Sequence, residues 1–251
     1  MSETEETYLS KVPAVTLGFW FIKILATTLG ETGGDTLSMT FDFGYLASTG
    51  IFATALVLLV WWQIKATRFH PMLYWATIIA STTAGTTMAD FADRSLGIGY
   101  TGGSSLVLGC VLLSLFAWHR VLGTINVNTV RTPLAEVFYW ITITFSQTLG
   151  TALGDWAADT GDLGYMGAAV IFAVMLLAVV VLYYRTNVSR VTLFWAAFIL
   201  TRPLGAAVGD FLDKPLDHGG LDFSRPIASA VLGAVILGSI FFLPQRAGKH
   251  P

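Results

Sequence analysis

The chain has 251 residues, of which 54% are apolar and 12% charged, with a formal net charge of −2 and a mean hydropathy of +0.67. A soluble surface ordinarily needs about a quarter of its residues charged, so the composition excludes a soluble globular domain and indicates a polytopic membrane protein. The single cysteine, Cys110, excludes a disulfide framework and a thiolate metal site, and the near-neutral charge gives no reason to expect a nucleic-acid partner.

Residues 1–10, MSETEETYLS, are acidic and polar, without the basic and apolar regions of a signal peptide, and read as a disordered tail. A first helix is expected over 13–36, with Pro13 at a first helical position where the missing N–H costs nothing. A plainly apolar second helix follows over 45–65. The same alternation predicts helices over 71–93, 102–120, 133–157 (opened by Pro133), 165–185, 191–213 and 225–244. The charge-free runs Leu46–Trp62, Ser105–Trp118, Ala168–Tyr184 and Ile227–Leu243 anchor the apolar members. Eight spans of roughly 20 residues match the thickness of a bilayer. Residues 123–130 read as a linker between halves at 11–122 and 131–244, and 245–251 as a second short tail.

The polar helices carry one skeleton four times: Trp20, Gly30, Asp35 and Gly44; Trp75, Gly85, Asp90 and Gly99; Trp140, Gly150, Asp155 and Gly164; Trp195, Gly205, Asp210 and Gly219. The copies are offset by 55, 65 and 55 residues. Such periodicity marks an internally repeated architecture, here four two-helix units. An even number of spans per unit makes the repeats parallel rather than inverted. Lys11, Lys65, Arg68, Arg120, Arg131, Arg185, Arg190, Arg246 and Lys249 lie between units or at the ends, whereas Arg94, Lys214 and Arg225 lie at the aspartate side. Nine against three predicts cytoplasmic termini and outward-facing acidic ends.

Around each motif glycine the pattern is small-x-x-x-small followed by Asp, in Gly30/Gly34/Asp35, Gly85/Ala89/Asp90, Gly150/Gly154/Asp155 and Gly205/Gly209/Asp210. Small residues four apart allow close helix approach in lipid, so the polar helices are expected to line a pseudo-fourfold centre with the apolar helices outside. Their hydroxyls and amide (Thr27, Thr28, Thr82, Thr83, Thr86, Thr87, Ser146, Gln147, Thr148, Thr151, Thr201) argue likewise. Each Asp sits at the electronegative end of its helix, which favours a cation there. Asp93 and Asp213 add outer carboxylates one turn on, while Asp42, Asp159, Asp162, Asp217 and Asp222 read as solvated loop charges. Two departures from the repeat stand out. Glu31 and Arg202 are intramembrane charges unique to copies one and four, and an isolated charge at that depth is costly, so they are expected to pair. Lys23 is expected to snorkel to the cytoplasmic headgroups, or to join Arg202 in an anion path. The motif tryptophans suit an aromatic belt or packing. His70, His119, His218 and His250 have no haem-binding placement.

The segments FHPMLYWATIIASTTAGTTMADFADRSLGIGY, FSQTLGTALGDW and FWAAFILTRPLGAAVGDFLDKP resemble a bacterial family of uncharacterised membrane-anchored integral membrane proteins. That resemblance implies the bacterial inner membrane and no particular activity. Glu31-Thr-Gly-Gly-Asp35-Thr36 has a weaker likeness to cation/proton exchangers carrying E-x-G-D-K-[ST], from which it differs by an extra residue. The donor types on offer are carboxylates and hydroxyls, which suit a hard divalent cation such as Mn²⁺, Mg²⁺ or Ca²⁺.

The expectation is therefore an all-α, eight-span protein that transports such a metal in exchange for protons, without an organic cofactor and not as an enzyme. The metal residues would be Asp35, Asp90, Asp155, Asp210, Asp93, Asp213 and Glu31. Gly30, Gly34, Gly85, Gly150, Gly154, Gly205 and Gly209 would pack the helices, and Arg202 with Glu31 would form a gate or charge pair. The other partners would be the lipid bilayer and protons, with a homo-oligomer left open. The alternatives are an ion channel, an anion carrier using Arg202 and Lys23, an intramembrane metal-dependent enzyme using the Asp90/Asp93 and Asp210/Asp213 pairs, and a structural membrane protein.

Overall fold

A computed structural model describes residues 9–160 and 163–249; the acidic head 1–8, Asp162 and His250 lie outside the described residues. The described residues form eight α-helices: α1 (Leu17–Asp35), α2 (Gly44–Lys65), α3 (Pro71–Asp90), α4 (Gly99–Leu122), α5 (Pro133–Thr160), α6 (Gly164–Arg185), α7 (Arg190–Asp213) and α8 (Arg225–Phe242). Helices α2, α4, α6, α7 and α8 are long and apolar enough to cross a membrane. The threonine- and carboxylate-bearing α1, α3 and α5 are not among them, and these helices turn their polar faces inward.

The polar helices make a closed ring, α1 against α3, α3 against α5, α5 against α7, and α7 against α1. The apolar helices stand outside it, but not beside their own partners. Helix α2 lies on α3, α4 on α5, α6 on α7 (touching α5 as well), and α8 returns to cover α1. Each unit thus hands its apolar helix to the polar helix of the next, and the last unit closes the circle on the first. Outward residues such as Leu58, Leu113, Leu177 and Ile227 remain exposed, as expected of a lipid-facing layer.

The sequence explains the ring closely. A Cβ on Gly30 would strike the side chain of Thr82, one on Gly85 would meet Gln147 Cβ and the Thr148 backbone nitrogen at 2.9 Å, one on Gly150 would strike Arg202, and one on Gly205 would strike Thr27. These knobs occupy one repeat position, three residues before the motif glycine of the following helix. The second small residue repeats the device one turn along: Gly34 faces Thr86, Gly154 faces Ala206, and Gly209 faces Glu31. Small-x-x-x-small is therefore a double socket for two knobs of the next helix, the close approach that holds helices together where lipid removes a hydrophobic driving force.

Several boundaries differ from expectation. Pro13 does not open a helix; it ends a strand, β1 (Leu9–Pro13), paired antiparallel with β2 (Ala247–Lys249). Thr16 is the N-cap of α1, accepting from the Phe19 N–H. Leu9 and Ser10 are thus not tail, nor are 247–249, because the termini pair with each other. Lys11 forms a buried 2.6 Å ion pair with Glu136. Ser10 donates to the carbonyls of Val127 and Val130. The expected linker is likewise tied down: Gly123 ends α4 at φ +74°, a left-handed position suited to glycine, and Val127 and Val130 are buried. Pro133 does open α5.

If the sockets hold the ring, Gly85→Ala should lower the melting temperature in detergent by several degrees, since a Cβ there meets backbone and overpacking costs about 1–3 kcal/mol. Gly50→Ala, on α2 with nothing within 4 Å, should leave it unchanged or raise it slightly. Equal melting temperatures for the two variants would contradict the socket.

Candidate functional site

An α-helix returns to nearly the same face every four residues, so Lys23, Thr27, Glu31 and Asp35 of α1 point toward the ring axis in succession. Their counterparts on α3, α5 and α7 form layers with them. Nearest the termini, Phe19, Tyr74, Tyr139 and Phe194 are buried together, and the Tyr74 and Tyr139 hydroxyls are 2.6 Å apart. Trp75, Trp140 and Trp195 pack with them rather than in a headgroup belt, because the ring places them on its inner side. Trp75 Nε1 donates to Gln245 Oε1 at 3.1 Å and Trp195 Nε1 to the Ile125 carbonyl at 3.0 Å.

The next layer holds Lys23 with Ile78, Ile143 and Phe198, all fully buried. Lys23 therefore does not snorkel. Its stem points along the axis, with Nζ 4.2 Å from the centre of the Phe198 ring and 3.4 Å from Gln147 Oε1. Above it lie Thr27, Thr82, Gln147 and Arg202, and then Glu31, Thr86, Thr151 and Ala206. Arg202 Nη2 joins these two layers, 2.9 Å from Glu31 Oε2 and 2.5 Å from both the Thr86 and Thr151 hydroxyls. Glu31 and Arg202 thus form the expected pair, with neither side chain more than 3% exposed.

The four motif aspartates make the outermost layer, and all are buried. Two cations tie them in pairs. Arg94 reaches Asp90 at 3.0 Å and Asp155 at 3.5 Å; Lys214 reaches Asp210 at 3.0 Å and Asp35 at 2.5 Å. Arg225 adds contacts of 3.4 Å to Asp213 and 3.9 Å to Asp35. Burial alone would lower the proton affinity of the Lys214 ammonium, but Asp210, Asp35 and Asp213 outweigh it and hold the group well above the ordinary lysine range. Even so, Asp35 Oδ1, Asp90 Oδ2 and Asp155 Oδ1 are buried without a hydrogen bond among the described residues. Carboxylate oxygens of Glu31, Asp35 and Asp210 lie within 4.8 Å of one another, an arrangement that could hold a metal ion.

The two outer carboxylates part company. Asp213 stays buried beside Lys214 and Arg225 because α7 remains regular to its end. Asp93 falls in a wider turn, Phe91–Ser95, which swings it off the face of Asp90 and toward Gly103 of α4, so it stands apart from the axial cluster. Asp42, Asp159, Asp217 and Asp222 are exposed, as expected, although Asp159 accepts a 2.7 Å hydrogen bond from Tyr100. The bridging roles of Arg94 and Lys214 were not anticipated. The signal was present: each cation lies four residues after its own Asp, and the two are 120 residues apart.

Each of the four units matches the profile of a sequence repeat described as a Repeat of Unknown Function (DUF347), at residues 18–69, 73–124, 138–189 and 193–244, which together cover most of the chain. No curated protein and no solved structure matches. The likeness of Glu31–Thr36 to cation/proton exchangers accordingly finds no counterpart in these comparisons.

Removing one partner of a buried ion pair strands the other charge, at a cost of about 3–5 kcal/mol. Glu31→Gln should destabilise the protein by that order, and Glu31→Gln combined with Arg202→Met should recover much of the loss in a double-mutant cycle. Additive single effects would mean that the two side chains do not share an interaction.

Proposed function

We propose that this chain, which belongs to the DUF347 repeat family, is a membrane transporter of a hard divalent cation such as Mn²⁺, Mg²⁺ or Ca²⁺, working through the acidic chamber at one end of its ring. The observation that carries the reading is the convergence of Glu31, Asp35 and Asp210, three buried carboxylates within 4.8 Å. Oxygen donors in that number suit hard cations, and among the described residues no thiolate or imidazole joins this cluster to favour zinc or copper(I).

Lys214 gives the site an internal competitor. Its ammonium neutralises Asp35 and Asp210 in the absence of metal, and a divalent ion must displace it. Proton exchange fits the same chemistry, because carboxylates this close cannot all stay ionised once a cation leaves. A carrier is favoured over an open channel. The axis below the chamber is filled by Arg202, by Lys23 and by an aromatic layer, so passage requires movement between halves. In this reading the termini are cytoplasmic and the chamber opens outward, in keeping with the excess of Lys and Arg at the termini side.

In proteoliposomes, Asp35→Asn and Asp210→Asn should each reduce Mn²⁺ flux at least tenfold, while Asp222→Asn, on an exposed loop, should leave it at the parent rate. Parent-like flux in the two chamber variants, or no divalent flux in the parent protein, would sink the proposal.

A further inference from the structure

The chamber leaves the inner half of the axis unexplained. Below the aspartates, two basic side chains, Lys23 and Arg202, are fully buried, and the carboxylate that meets them in that interior is Glu31. Glu31 Oε2 accepts from Arg202 Nη2 at 2.9 Å. Lys23 has no ion-pair partner among the described residues; its Nζ contacts the neutral Gln147 Oε1 at a long 3.4 Å and the face of Phe198. A charged Lys23 would be an unpaired ammonium at a depth where that is expensive, so its charged form calls for an anion beside it.

Donor groups around it are also left over. Arg202 Nε and Nη1, Gln147 Nε2 and the Thr82 hydroxyl are buried and make no hydrogen bond among the described residues. Buried polar groups are normally satisfied, and one unsatisfied donor can be an accident of packing. Here four unsatisfied atoms come from three helices at one level of the ring, one residue position in three consecutive repeats. Gln147 joins this set to Lys23 one turn below, its Oε1 lying 3.4 Å from Nζ. All can donate, and the nitrogens among them cannot accept. Such a set is complementary to an anion.

We infer that the axis holds a second site, below the acidic chamber and joined to it by the Arg202–Glu31 pair, for one small monovalent inorganic anion of the halide type, bound by Lys23, Arg202, Gln147 and Thr82. A single negative charge matches one protonated Lys23 beside the balanced Arg202–Glu31 pair; a multiply charged oxyanion would overcompensate it. The occupant would also restrain Lys23 and Arg202 between two layers of the ring, making halide a structural ligand of this region whatever the chamber carries.

The test uses the purified full chain in detergent with a chelator present, so that divalent metal plays no part. Replacing gluconate by bromide at constant ionic strength should raise the melting temperature in a saturable way. Crystals grown in bromide should show anomalous density between Lys23 and Arg202. Lys23→Met, which keeps the length of the side chain and removes its charge, should weaken the bromide response at least tenfold while leaving the protein folded. Gln147→Leu should weaken it to a smaller extent. No saturable response in the parent protein, bromide density confined to the surface, or an undiminished response in Lys23→Met would overturn the inference. Its failure would leave the chamber proposal standing, since Mn²⁺ flux is read independently of it.

Discussion

Above each motif glycine of the ring lies a side chain from the next helix: Thr82 over Gly30, Gln147 over Gly85, Arg202 over Gly150 and Thr27 over Gly205. These four approaches fix the depth and rotation of every polar helix at once, because a knob in its socket permits neither sliding by a turn nor rolling to another face. Everything else on the axis follows from that registration. Once residues three before the glycine are seated, residues one after it and five after it must form layers of their own. The last layer gathers four aspartates. The two-helix units gain stability from this circle and from the apolar helix that each passes to its neighbour, with only the third unit also packing well against its own second helix.

The ring is fourfold in backbone and less symmetric in chemistry. At the aspartate layer Arg94 and Lys214 occur in alternate units, one in each half, and each cation ties an aspartate of the first half to one of the second. One turn deeper the symmetry is gone: one Glu, one Arg and two threonines share a single guanidinium nitrogen. Duplication supplied a scaffold of equivalent positions, and the chemistry lies where one copy departs from the others. Desolvation makes each departure costly, so most of the buried charged residues are paired, while Lys23 and several aspartate oxygens are left without a hydrogen-bonded ion partner among the described residues.

Much of this was legible in the sequence. A strict repeat period, glycines four apart and a run of hydroxyls on one helix of each unit specified a ring of polar helices with an apolar jacket, and the isolated Glu31 and Arg202 specified each other. What could not be read was the partner of each apolar helix. Hydrophobic runs show that a helix needs a neighbour and do not say which one, so the hand-over from unit to unit is visible only in space. Of the two placements the sequence allows for Lys23, the interior one holds, and the snorkelling one fails for a related reason. A lysine near a helix start ordinarily reaches the headgroups, but here its face was dictated by Thr27 and Glu31, one and two turns along. Asp93 does not share the face of Asp90, because the turn Phe91–Ser95 widens where regular helical spacing would place the two together. The strand pairing of the termini depended on contacts between the two chain ends, which local sequence does not encode.

The claim that the ring exists to build a cation chamber is tested most directly by manganese anomalous scattering from crystals of the full chain grown with Mn²⁺. The account predicts a peak bounded by the carboxylates of Glu31, Asp35 and Asp210, with the Lys214 ammonium withdrawn from Asp35. A peak confined to exposed aspartates such as Asp42 and Asp217, with Lys214 still bridging Asp35 and Asp210, would contradict it.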